Sequence, residues 1–394
     1  MKQNGNSRQF VMICVISFAF FLSNQMVVNT VTKFAGAMDA TAQMIGFIGG
    51  AYGIFALLMR PVSGQMVDKY AHKPLMFVGI GLLLVSNLLL LVAKQPSVLL
   101  LSRILNGIAF GVVSTLCMTT ACDALPPEKM TSGIGIYTMM QTLAQVIGPS
   151  IAISIIDVKP FHSLYMLTTA IMGVALLLCL GFRSSHTLQK NVRISFKPSS
   201  MFTFKAFKPG SVLMCNVMQI SAVSSFLLLY ADSIGVTGLS GFFTVQALMI
   251  IATRPFVSKF ANERNAYPVV FISEMLIILG LVNLFFADST MDFMLSAALF
   301  GLGKSGYQPS LMSMCISAAP AQERGRASGT AYACNDIGQF LGSYIAGYVV
   351  GILGYRFAFL TIALIIAVGT TIFALTCAVP DRRRMKEKRI VEGK

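Results

Sequence analysis

Ionisable side chains fall where a charge is costly. Arg103, Lys304 and Asp336 each lie within an apolar run long enough to cross a bilayer. A charge at that depth normally faces a cavity or a partner. Counted at 1.5 Å per residue, Lys304 is about 16 Å from one end of its run and Asp336 about 12 Å from the opposite end. In a hydrocarbon core about 30 Å thick these depths nearly coincide. An Asp336–Lys304 pair is therefore expected, either to exchange a proton or only to hold two helices together. Arg103 is about two turns in from Gln95-Pro96, and its long stem could also reach headgroups. Enzyme chemistry has no comparable set. His72, His162 and His186 fall at loops, no metal-ligand spacing occurs, and no glycine loop of the ATPase type cradles phosphate. The chain reads as a non-enzyme without cofactor or metal, driven by an ion gradient or by the gradient of its substrate.

The elements that position these charges are membrane helices. Of 394 residues, 55% are hydrophobic and 11% charged, against about 25% charged in ordinary soluble domains. Mean hydropathy is +0.74. Twelve apolar runs are predicted, at 10–32, 42–59, 75–93, 98–122, 133–156, 163–182, 209–231, 236–253, 268–287, 293–316, 328–350 and 357–379. The net charge of +15 follows topology and does not suggest nucleic acid. With both ends in the cytoplasm, 24 of the 30 Lys and Arg fall on the inner side and four on the outer side, the bias that sets orientation in a cell membrane. Cys14, Cys117, Cys122, Cys179, Cys215, Cys315, Cys334 and Cys377 fall within spans and read as small packing residues. The basic N-terminus before an apolar run imitates a signal peptide; eleven further spans favour an uncleaved first helix.

The chain also repeats. Arg60, Pro61, Pro74 and Phe77 recur 194 residues later as Arg254, Pro255, Pro268 and Phe271, in a short polar loop between two apolar runs. At the same offset Gly107 pairs with Gly301, Pro126 with Pro320, Gly135 with Gly329 and Gly148 with Gly342. Internal duplication of six-span units is a transporter trait. The expected domains are a six-helix half over 1–182, a basic linker over 183–208, a second half over 209–380 and a charged tail over 381–394. The linker, with Phe196, Phe202, Phe204 and Phe207 among lysines, could hold an amphipathic segment on the inner leaflet or a plain tether.

The first polar loop resembles a signature of the major facilitator superfamily. Gly64, Asp68, Lys69 and Lys73 fit it, while Ala71 replaces its second glycine and His72 one of its basic residues. The resemblance implies a gating latch at Gly64, Asp68, Lys69 and Lys73, with Asp123 as acidic partner, and the second copy lacks the aspartate. Leu99, Arg103, Asn106, Gly107, Ala109 and Gly111 resemble the family's span 4 motif, whose arginine is tied to proton coupling in exporters. Gly148-Pro149 resembles the core of the antiporter motif and implies a kink in span 5. On this likeness the fold is an all-α membrane protein of twelve helices in two pseudo-symmetric halves, closest to bacterial drug:proton antiporters. Asp336, Lys304 and Arg103 are then the coupling groups. Asn24, Gln25, Asn29, Gln141, Gln145, Asn216, Gln219, Gln308, Asn335 and Gln339 are the polar candidates for the substrate cavity. Glu274, on a span peripheral in this fold, is expected at the inner headgroups or beside a basic loop. The implied function is proton-coupled efflux of small amphiphilic molecules by a monomer in the bilayer. A carrier for a small anionic metabolite, or a transporter-like receptor or lipid-handling protein, remains open.

Overall fold

The computed structural model describes residues 2–125, 130–181, 202–260, 266–320 and 323–375. Among them every regular element is helical. The order is α1 (Lys2–Val28), α2 (Val31–Gly36), α3 (Ala42–Lys69), α4 (His72–Val92), α5 (Pro96–Asp123), α6 (Met130–Ile156), α7 (Phe161–Gly181), α8 (Phe207–Ser233), α9 (Ser240–Phe260), α10 (Ala266–Phe286), α11 (Thr290–Ser317), α12 (Arg324–Leu353) and α13 (Tyr355–Phe373), with one 3-10 turn at Phe204–Ala206. Apart from the short α2, these are twelve long helices, and each overlaps one predicted run. Ten segments are long and apolar enough to cross a bilayer. The protein is a multi-pass membrane protein.

Two expectations about boundaries are corrected. The first run does not form one helix over 10–32. It turns at Asn29-Thr30, where the Thr30 N–H reaches back to the Val27 carbonyl at 3.1 Å, and resumes as α2. Asn29 also donates its amide to the Gln25 carbonyl at 2.9 Å, offering the backbone a local partner at that turn. The Arg-Pro segments are likewise not loops. Helix α3 runs through Pro61 to Lys69 and α9 runs through Arg254-Pro255 to Phe260. A polar sequence at the end of an apolar run is compatible with a helix that continues into water, so polarity marked the bilayer edge and not the helix end.

The chain divides into two compact units, 1–197 with 224–244 and 198–223 with 245–394. In the first, small residues let helices touch backbone to backbone. A Cβ on Gly107 of α5 would meet the Tyr52 carbonyl of α3 at 2.5 Å, and one on Gly111 would meet Met59 at 2.8 Å. Ser102 donates to the Ser86 carbonyl at 2.9 Å, fastening α5 to α4. Asn87 donates to Ser23 at 2.9 Å and to the Thr168 carbonyl at 3.2 Å, fastening α4 to α1 and α7. The second unit repeats these devices at the same offset of 194. Gly301 of α11 abuts the Gln246 carbonyl of α9, as Gly107 abuts Tyr52, and Ser296 donates to the Gly280 carbonyl at 3.0 Å, as Ser102 does to Ser86. The duplication therefore extends to individual packing contacts.

Candidate functional site

In the first unit the glycines of α5 set the position of Arg103. By bringing α3 against α5 they place the Tyr52 ring 4.8 Å from the guanidinium, and Arg103 is fully buried. A cation over an aromatic face gains about 2 kcal/mol when desolvated, far short of a carboxylate partner. Among the described residues its one hydrogen bond runs from Nη1 to Asn106 Oδ1 at 3.3 Å, and Nε and Nη2 have no partner. No acidic residue of 1–181 lies inside a predicted span: Asp39, Asp68, Asp123, Glu128 and Asp157 all fall at or beyond run ends. The buried Tyr165 hydroxyl and Asn24 Oδ1 are also without partners. Of the other polar candidates in this unit, Asn29 is buried, Gln25 and Gln141 are half-buried, and Gln145 is exposed. A Cβ on Gly148 would meet Gln25 Cβ at 2.9 Å, so Gly148 and the in-helix Pro149 shape the approach of α6 to α1.

The predicted latch lies at the basic end of the same unit. The surroundings of Gly64 and the side chain of Asp68 lie outside the described residues. Lys69 stands 5.6 Å from the Tyr70 ring centre, and Lys73 donates to the Leu180 carbonyl at 2.6 Å. Asp123 lies 3.7 Å from Nδ1 of the buried His72, a ring that also meets the Thr120 hydroxyl at 3.2 Å. Toward the opposite end, an open recess of about 430 Å³ is lined by Ser150, Ile151, Ser154, Ile155, Val158 and Lys159 and contains none of the predicted cavity residues.

In the second unit Asp336 is buried and Lys304 half-buried, and no ion pair joins them. Their similar depths say nothing of the directions their side chains take, which is why the expected pairing is not seen. Gln339 donates to Asn335 Oδ1 at 3.1 Å, and the Gln339 carbonyl accepts from the Ser221 hydroxyl, so part of the polar row on α12 is tied to α8. Gln219 is buried with Nε2 unpartnered, and Gln308 is half-buried.

Glu274 overturns its expectation. It is fully buried, and Oε1 accepts from Nδ2 of Asn216 on α8 at 2.8 Å. Its partner is a side chain of a neighbouring helix, and none of its surface is left exposed. The cause is the face of α11: a Cβ on Gly303 would meet the Ser273 carbonyl at 2.7 Å, and one on Gly306 would overlap the Ser273 side chain. With no side chains there, α10 closes onto α11 and seals the next residue, Glu274, inside. The Gly303-x-x-Gly306 spacing was the one signal in the sequence that could have suggested it.

The comparisons with known proteins bear on the whole length. The model of the Major Facilitator Superfamily matches residues 12–291 and 210–393. The chain belongs to the major facilitator superfamily. It is a transporter and not an enzyme. It is 24% identical over 380 residues to the staphylopine export protein of Staphylococcus aureus, covering 91% of this chain and 94% of that one. It is 23% identical over 358 residues to the quinolone resistance protein NorA of the same species, covering 87% and 89%. Among solved structures, a mutant of the nucleoside transporter NupG aligns with a TM-score of 0.81 at 17% identity, over 93% of this chain and 99% of that one. A POT family transporter bound to 5-aminolevulinic acid aligns with a TM-score of 0.76 at 16% identity, over 93% and 96%. At these identities the structural likenesses establish the fold alone.

Proposed function

We propose that this transporter is a proton-coupled exporter of small amphiphilic molecules, acting by alternating access with both termini in the cytoplasm. The observation that carries the reading is Arg103, a sealed guanidinium with two nitrogens unpartnered among the described residues and no acidic residue inside a span of residues 1–181. Such a group is costly unless a partner arrives during the working cycle. The export direction draws on the likeness to the staphylopine export protein, which is named for that activity. Asp336 is the carboxyl that exchanges the proton, with Lys304 and Arg103 acting on the same cycle. Compounds that raise the melting temperature of the purified protein are to be carried into liposomes under an imposed pH gradient. Asp336→Asn is expected to abolish gradient-driven accumulation; accumulation that survives the substitution removes Asp336 from the mechanism.

A second reading has specific support. Among the described residues neither Arg103 nor Lys304 has an acidic partner, which suits a carrier for a small anionic metabolite. That reading expects flux driven by the substrate gradient alone, without a pH gradient, and its loss in Lys304→Ala.

A further inference from the structure

Glu274 is the carboxyl that the coupling scheme leaves unused. Among the described residues its Oε1 has a donor in Asn216, Oε2 has none, and no cation forms an ion pair with it. Asn216 spends its amide twice, on Glu274 and on the Val212 carbonyl at 3.0 Å, and leaves its own Oδ1 unpartnered. The hydroxyl of the buried Tyr307 on α11 is also unpartnered. One amide donor does not compensate an ionised carboxylate removed from water. A neutral acid fits the same space: it accepts at Oε1 and carries its proton at Oε2, the oxygen for which a carboxylate would have no donor.

The groups facing Glu274 do not supply the missing charge. Tyr307 of α11 and Cys215 of α8 are the titratable neighbours, and α13 brings up the Thr370 hydroxyl, whose proton goes to the Ile366 carbonyl at 2.8 Å. Lys304 lies one turn from Tyr307 and forms no ion pair with Glu274. The residue 194 positions earlier is Ile80, fully buried on α4, so packing at that position is satisfied by an apolar side chain. The second unit carries an acid where the first carries a methyl-rich core residue, and one bond of that acid holds α8.

We propose that Glu274 is a proton-binding site: a proton from the medium adds to Oε2, and its loss leaves a carboxylate that the bond to Asn216 alone cannot support, so α8 is held or released with the proton. This rests on the proton-coupled reading for its purpose but not for its test. The full chain, reconstituted in lipid vesicles, is examined by infrared difference spectroscopy for the C=O stretch of a protonated carboxylic acid that shifts in heavy water. At neutral pH the band is expected in the wild type and in Asp336→Asn, and absent in Glu274→Gln, where the amide preserves the bond to Asn216. Glu274→Asp, which keeps the acid but moves it by one methylene, is expected to displace the band rather than erase it. A band unchanged in both Glu274 variants, or no band in the wild type, overturns the site. If the band behaves as expected while transport ignores a pH gradient, the coupling reading fails and the proton site stands.

Discussion

Replacing Arg103 by methionine removes a guanidinium whose Nε and Nη2 lack partners and keeps a flexible apolar chain in its place. Well-packed apolar groups often match or exceed buried ions in stability. The melting temperature of Arg103→Met is therefore expected to equal or exceed that of the wild type, while transport is lost. A large loss of stability would assign Arg103 to the scaffold. Arg103 and Glu274 also show how far single residues can be read from sequence. Arg103 was legible because its depth and its glycine neighbours lie on one helix. Glu274 was misplaced because its burial depends on Asn216, 58 positions away, and on glycines of a third helix. A span's peripheral place in a fold does not say which way one of its side chains points.

Helix interfaces depend on the positions where a Cβ has no room. Gly107→Leu must push α3 from α5 and is expected to destabilise by about 1–3 kcal/mol, the usual range for overpacking. Gly135, on α6, has nothing within 4 Å of a Cβ, and Gly135→Leu is expected to melt like the wild type. Thermal unfolding of both variants in detergent checks the contrast. Helix α11 carries a second testable device at its start. The Ser289 hydroxyl and the backbone N–H groups of Asp288 and Ser289 bond the Asp292 carboxylate and hold it below its usual range, and Ser289 caps the helix in return. A depressed carboxyl contributes stability above its unfolded value and loses it as pH falls through its folded one. The melting deficit of Ser289→Ala is expected to be largest near neutral pH and to shrink in acid. At this scale the sequence located the spans well, because apolar length is a local property. It misjudged the polar segments after Arg60 and Arg254, because hydropathy reports the bilayer edge and helices extend past it.

Across the whole chain the two units share a set of contacts and differ in where they place charge. Gly107 with Tyr52 and Gly301 with Gln246 are the same contact made twice, whereas Ile80 and Glu274 occupy one register with opposite chemistry. The position equivalent to Asn216 is Leu22, so an acid introduced at Ile80 has no amide donor at that register. Ile80→Glu is expected to lower the melting temperature sharply, whereas Glu274→Ile is expected to retain the fold and lose proton-dependent function. Equal melting of the two variants would refute the asymmetry. The matched prolines carry a mechanical consequence. Pro61 and Pro255 have no N–H to offer, so the carbonyls of Leu57 and Ile251 receive no ladder bond from them. Flexing α3 or α9 at these points breaks no backbone bond there. Each half thus contains a compliant joint at the same place, about one and a half to two turns from the end of its helix.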